Sequence, residues 1–209
     1  MWLHLLAPHV NYAPPPPFDK LFDNGYQGNL SGSRPDLVPI TLSQKQLSSL
    51  EVGYIRSLYD GEVAYVDKNV DLVLRELEGL DLDETTLVVV TSDHGEELYD
   101  RNQYFFHSLS IYDSVLRVPL ILRLPEVILA NRRVPQVVQS IDIAPTILDL
   151  LGIAMPESFQ GQSFSKMLLS DHDDGVLATY AFSERGATVA SVRSNRWRYV
   201  FNPEEEALG

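Results

Sequence analysis

The run Thr86-Leu87-Val88-Val89-Val90-Thr91, which stops abruptly at Ser92-Asp93-His94-Gly95-Glu96-Glu97, constrains this chain more than any other segment. A continuous β-branched run with no polar alternation reads as a strand covered on both faces. Strands of that kind belong to layered domains in which helices pack on a sheet, and the remaining sequence supplies such layers. Leu47, Leu50, Tyr54, Leu58, Val66, Val70, Leu74 and Leu77 recur at three- and four-residue steps, the stripe of a long helix, and Gly79 sits where its C-terminal cap belongs. Thr41-Leu42-Ser43-Gln44 has capping-box spacing ahead of that stripe. Trp2 to Leu6 and Val118 to Arg123 read as further buried strands, and Val137-Val138 opens a short one. Asp142 to Gly152 reads as a helix with Pro145 in its first turn. The alternation predicts an α/β layered domain, a largely parallel sheet flanked by helices, over residues 1–170. From residue 171 to 209 the pattern changes to short segments, Leu177 to Phe182, Ala187 to Val192 and Trp197 to Phe201, which predict a small antiparallel β subdomain.

Composition narrows the function classes. The chain has 209 residues, 44% hydrophobic and 22% charged, which is a folded globular profile. Its 29 acidic against 16 basic side chains give a net charge of −13, the wrong sign for a nucleic-acid partner. No window approaches the roughly 18 apolar residues of a membrane span. The absence of Cys removes disulfides, thiolate metal sites and a cysteine nucleophile together. The opening residues lack the pattern of a signal peptide, and the compartment stays open. The Pro-rich stretch from Pro14 to Pro17 reads as a stiff loop, with a docking ligand for another module as the alternative, and Lys20 to Ile40 reads as a long surface excursion.

Asp93 and His94 close the most hydrophobic strand at its carboxyl end, where ligands bind in open α/β sheets. A carboxylate and an imidazole side by side offer two donors to a divalent cation. Equally, Asp93 can cap a following helix whose first turn would carry Glu96 and Glu97, with His94 a partly buried loop residue. His9 lies in the Pro-rich loop directly after a strand, and His107 follows the aromatic run Tyr104-Phe105-Phe106. Each taken singly is as readily structural as chemical. His4 lies inside the strand pattern and is expected to be buried, His172 sits in an acidic turn, and Arg117 fits an anion contact or an ion pair at a strand entrance.

The order of these blocks resembles the sulfatase family of the alkaline-phosphatase-like superfamily. The matching stretches are Leu3 to His9 with the prolines after it, Leu58 to Asp67, Thr86 to Glu96, His107 to Ile121 ending in Leu116-Arg117-Val118-Pro119, and Asp142 to Ile153 leading to Gly161-Gln162-Ser163-Phe164. The resemblance implies an alkaline-phosphatase-like layered domain and hydrolysis of sulfuric esters. It implies Asp93 and His94 as metal ligands, usually for calcium, or for manganese or zinc in a phosphotransferase or phosphonate-hydrolase relative. It further implies that His9 contacts the sulfate and assists the leaving group, that His107 also touches the sulfate, and that the substrate is a sulfated small molecule or glycan. The physical logic is that a divalent cation neutralises the ester's negative charge while cationic or hydrogen-bonding side chains hold its oxygens.

The family's nucleophile is a formylglycine made from Cys or Ser in a Cys/Ser-x-Pro-x-Arg motif, which this sequence lacks. Ser33-Arg34-Pro35-Asp36-Leu37 has no closing Arg. The early acidic pair that supplies the first metal ligands is missing too. The chain therefore resembles the later portion of a sulfatase, and the expectation is negligible activity alone and a partner in the N-terminal half. A non-catalytic module that binds an anionic glycan is the alternative from a different class.

Overall fold

A computed structural model describes residues 1–43, 45–102, 104–170, 180–186 and 189–203. It divides into two compact units, Met1–Asp83 with Gly95–Leu109, and Glu84–His94 with Ser110–Gly209.

The first unit is built on helix α2, Ser49–Gly79, which carries the expected stripe. Its start is set by a capping box at Ser48 and Glu51. The Ser48 hydroxyl accepts from the Glu51 amide at 3.3 Å, and the Glu51 carboxylate accepts from the Ser48 amide at 2.8 Å. The box expected at Thr41 to Gln44 involves residue 44, outside the described residues, and Thr41 lies within another helix, α1, Arg34–Ser43. That helix is a difference from the surface excursion expected over Lys20 to Ile40. Two prolines and the Gly- and Ser-rich stretch before them read as breakers, yet Pro35 sits in the first turn where no N–H is needed. Pro39 gives up one internal bond, which burial of Leu37 and Ile40 outweighs. Gly79 ends α2 without adopting a left-handed conformation; Asp81 takes that geometry, with φ 56°.

Strands β2, Glu97–Asp100, and β3, Tyr104–Phe106, form an antiparallel hairpin with a register shift between Leu98 and Asp100. The segment after Asp93, a helix on the reading in which Asp93 serves as a cap, is a strand, with Leu98 half-buried and Tyr99 and Phe105 buried in the core. That core joins Tyr12, Leu37, Ile40, Ile55, Leu58, Tyr99 and Phe105. The Phe105 amide donates to Thr41 Oγ1 at 3.2 Å, and the Tyr99 hydroxyl donates to the Lys45 carbonyl at 2.9 Å, tying the hairpin to the segment around α1. Trp2 to Leu6 forms no strand, and Met1, Trp2, Leu3 and Leu6 are exposed. Apolar content defines a strand only where a ladder partner lies alongside, and none does here among the described residues.

In the second unit β1, Val88–Thr91, pairs with β4, Leu120–Arg123, from Val88 opposite Arg123 to Thr91 opposite Leu120. The pairing is antiparallel, as are all the strand pairs among the described residues. The α/β class holds, and the largely parallel direction expected for its sheet does not. A hydrophobic run reports coverage but carries no information on the direction of its neighbour. Helices α3, Asp113–Leu116, α4, Ile143–Leu150, and α5, Ser165–Leu169, accompany this pair. Phe164, Met167 and Leu168 form the buried centre, against Leu120, Leu122 and Leu150. The α4 entrance is fixed by Asp142, whose carboxylate accepts from the Gln139 and Gln162 amides at 2.9 and 2.8 Å. No strand forms at Val137-Val138. Strands β5, Ala181–Arg185, β6, Val189–Arg193, and β7, Arg198–Phe201, make the antiparallel sheet expected near the end of the sequence. The first part of the expected strand Leu177 to Phe182 and the first two residues of Ala187 to Val192 lie outside the described residues, as does His172.

Candidate active site

The loop that carries His9 is held at three points. The Tyr12 amide donates to the Gly32 carbonyl at 2.9 Å, the Ala13 amide to Glu62 Oε1 at 2.9 Å, and the Arg34 amide to Asn11 Oδ1 at 2.6 Å. Gly32 is required at the first of these, since a Cβ there would lie 2.2 Å from the Tyr12 carbonyl oxygen. Glu62 is buried on α2, one turn after Leu58, and serves as the loop's acceptor. Sequence reasoning missed it. The available signal was a carboxylate standing four residues after Leu58 on the apolar stripe, where a charge needs a partner.

Anchored in this way, the loop sets His9 against His107, with ring centroids 5.3 Å apart and planes inclined by 52°. His9 Nδ1 also lies 3.0 Å from the Val10 carbonyl oxygen. His107 follows β3 directly, and its Nδ1 lies 3.4 Å from Oε1 of Glu96. The Glu96 side chain is 4% exposed. Burial pushes its carboxyl up to about 8, the Tyr12 hydroxyl acts in the opposite direction, and the neighbouring Glu97 adds to the rise. The Tyr12 hydroxyl is itself buried without an atom in hydrogen-bond geometry. Its acidity is suppressed by that burial, then by the charge of Glu96 and by Tyr59, whose ring meets it edge-on at 5.7 Å. Burial and the same carboxylate also raise the Tyr59 hydroxyl. The first unit thus brings together two imidazoles, a desolvated carboxyl and a buried phenol. Two groups able to hold an oxyanion and move a proton lie side by side. Glu96 and Tyr12 were not among the residues singled out from sequence. His4, expected to be buried, is exposed, because the segment around it forms no strand.

In the second unit Asp93 and His94 follow β1. The His94 amide donates to Asp93 Oδ1 at 3.0 Å, and the Ser92 hydroxyl to the His94 carbonyl at 2.6 Å, closing a tight turn. Asp93 caps no helix. Its Oδ2 lies 3.8 Å from His94 Nε2, and the two side chains are 74% and 32% exposed. That separation is shorter than two metal–ligand bonds of about 2.0–2.5 Å laid end to end, so one divalent cation fits both donors. Among the described residues no group of three or more His, Asp or Glu could hold a metal ion, so the pair is a partial ligand set. Both line an open cleft of about 1640 Å³, together with Asp113, Arg117, Arg193 and Arg198. Burial raises the Asp113 carboxyl, but Arg193, with Arg198 and Arg117, more than reverses this and holds it low. Arg198 Nη1 lies 2.5 Å from Asp113 Oδ1, and Arg193 contacts the same oxygen. Arg117 is thus part of a carboxylate-centred cluster at the strand entrance.

Known proteins share this architecture. A phosphonate monoester hydrolase of Agrobacterium radiobacter superposes with a TM-score of 0.73 at 21% identity, over 94% of this chain and 47% of that one. A second, from Silicibacter pomeroyi, superposes at 0.60 with 26% identity, over 79% and 38%. These define the class, a domain of the alkaline-phosphatase-like fold. Within that class the family model described as Sulfatase matches residues 1–153, and the chain belongs to the sulfatase family. Arylsulfatase K of Mus musculus is 32% identical over 160 residues, which are 72% of this chain and 28% of the mouse protein. The chain spans less than a third of the length of the curated relatives it matches.

Proposed function

We propose that this chain is the portion of a sulfuric-ester hydrolase that holds the oxyanion and part of the metal shell, and that it turns over no ester alone. The pairing of His9 with His107, from opposite ends of the first unit's sequence, carries this reading. Two imidazoles at that spacing hold the non-bridging oxygens of a sulfate ester, and His9 protonates the departing alkoxide. Asp93 and His94 supply two ligands to a divalent cation, calcium in the family's usual form, and the 3.8 Å between their donor atoms suits one ion. When bound, the cation neutralises charge on the ester as a Lewis acid. The nucleophile and the remaining ligands come from a partner segment carrying the Cys/Ser-x-Pro-x-Arg motif and the acidic pair, which this sequence lacks. The substrate is a sulfated small molecule or glycan. The second reading, a phosphonate monoester hydrolase, is favoured by the likeness to the Silicibacter pomeroyi enzyme.

The test is calorimetric titration of purified 1–209 with calcium, manganese and zinc, followed by aryl sulfate and phosphonate monoester assays with and without a sulfatase N-terminal segment supplied in trans. The expected result is weak metal binding abolished by Asp93→Ala, no turnover by the chain alone, and aryl sulfate turnover on complementation. Metal binding indifferent to Asp93→Ala and His94→Ala refutes the ligand assignment. Turnover by 1–209 alone refutes the division of labour, and a complemented enzyme that prefers the phosphonate establishes the second reading.

A further inference from the structure

Arg34 stands apart from the other arginines of the first unit. Arg56, Arg75 and Arg101 each hold a carboxylate, that of Asp100, Asp71 and Glu97, at 3.3, 2.9 and 3.4 Å. Among the described residues Arg34 forms no ion pair, in a chain whose 29 acidic side chains outnumber 16 basic ones. The nearest carboxylate in sequence, Asp36, is spent on the Ser31 amide and hydroxyl, at 2.9 and 2.6 Å. Arg34 opens α1 and is exposed, yet it is tied to both segments that carry the imidazoles. Its amide donates to Asn11 Oδ1 at 2.6 Å, two residues after His9. Its guanidinium carbon lies 5.9 Å from the centre of the Phe106 ring, the residue before His107. With the His9 and His107 rings 5.3 Å apart, these contacts close a circuit through three stretches of chain. A cation thus rests on the neighbour of His107, one peptide unit or about 3.8 Å of Cα separation along the chain. A guanidinium lying over an aromatic ring uses its face there and keeps its planar N–H edges for an anion.

We propose that Arg34 is a specificity-determining residue that pairs with an anionic group of the substrate other than the scissile sulfate, so that the preferred ester carries two negative groups. This rests on the reading of His9 and His107 as the sulfate contacts. The imidazoles hold the sulfate, and the guanidinium, one residue further along, takes a neighbouring carboxylate or second sulfate through two parallel charge-assisted hydrogen bonds. The planar fork matters as well as the charge, since an ammonium cannot make both bonds in one plane.

The experiment is calorimetric titration of purified 1–209 at low ionic strength with phenyl sulfate, 3-carboxyphenyl sulfate and the disulfate of benzene-1,3-diol. The expected result is that the doubly charged esters bind about tenfold more tightly than phenyl sulfate, the scale of one hydrogen bond to a charged group. Preference for only one of the two also supports the proposal and identifies the group that the guanidinium takes. Arg34→Gln is expected to bring the dissociation constants together, and Arg34→Lys to keep only part of the preference. Wild type that binds all three equally, or none of them, overturns the proposal without any substitution, so a variant that fails to fold leaves the test intact. A preference that survives Arg34→Gln overturns it as well. His107→Gln is expected to weaken all three esters and keep the preference. Phenyl sulfate binding indifferent to His107→Gln, with the preference still lost in Arg34→Gln, counts against the imidazole reading and leaves the Arg34 contact standing.

Discussion

Gly61→Ala on α2 sets two effects of opposite sign against each other, and the structure says which is larger. In a helix interior Ala is favoured over Gly by about 1 kcal/mol. A Cβ at Gly61, however, would lie 2.6 Å from the Phe18 carbonyl oxygen and 2.8 Å from Pro14 Cγ. Both belong to the Pro-rich loop, whose rings have little freedom to retreat, and Ala13 beside them is tied to Glu62. Overpacking against such neighbours costs ~1–3 kcal/mol, and the contact with backbone places this case toward the upper end. The net expectation is destabilisation by roughly 1–2 kcal/mol. Gly53→Ala on the same helix is the control. Its Cβ would meet only the Asn24 side-chain nitrogen, at 2.9 Å, which can swing aside at the cost of one hydrogen bond to the Leu50 carbonyl. It should be neutral or stabilising by up to about 1 kcal/mol. Urea denaturation followed by circular dichroism at 222 nm, compared at equal slope, reads both. Equal shifts of the same sign would show that the Pro14 ring and the Phe18 carbonyl do not rest on Gly61.

Two further outcomes follow from the same geometry. Glu96 keeps a proton in the folded state up to about 8, against 4.5 for the ordinary group, so the unfolded chain releases that proton first. Stability is therefore fully present below pH 4.5 and falls as pH rises toward 8, by up to ~1.4 kcal/mol per pH unit in mid-window. Glu96→Gln should flatten that slope in urea melts taken from pH 4 to 8.5, and an unchanged slope would rule out Glu96 as its source. Ser48→Ala removes one half of the capping box on α2 and should cost about 1 kcal/mol in the same assay, with no cost expected from Thr41→Ser, which keeps the acceptor for the Phe105 amide.

Much of the layered class could be read directly from residues. The α2 stripe from Leu47 to Leu77, the strands at Val88 and Leu120 and the α4 helix with Pro145 all follow from spacing. What escaped was decided by partners distant in sequence. The β1 run has the composition of a covered parallel strand, yet β4 lies antiparallel to it, because direction depends on the neighbour and not on the run. The Trp2 to Leu6 segment is as apolar as β1 and forms no ladder. The α1 helix was hidden by Pro35 and Pro39, whose local cost is outweighed by burying Leu37 and Ile40. At the site, the histidines were visible through their place in ordered motifs. Glu96 and Tyr12 were not, since nothing local distinguishes a carboxyl bound for the interior from one bound for solvent. On the reading in which Asp93 caps a helix, Glu96 falls in its first turn; the segment instead forms the β2–β3 hairpin, and Glu96 is buried.

The two arginines that meet on Asp113 come from adjacent strands, Arg193 on β6 and Arg198 on β7, while the aspartate opens α3. Because a single oxygen serves both, the three positions do not act as independent contributors. Replacing Asp113 takes the shared anion from two guanidinium groups at once, whereas replacing either arginine leaves the other contact in place and relieves the repulsion between them. Substitutions here combine unequally, so the order in which they arise matters. Losing one arginine first leaves the other contact on Asp113 in place, whereas losing the aspartate first removes both contacts in a single step.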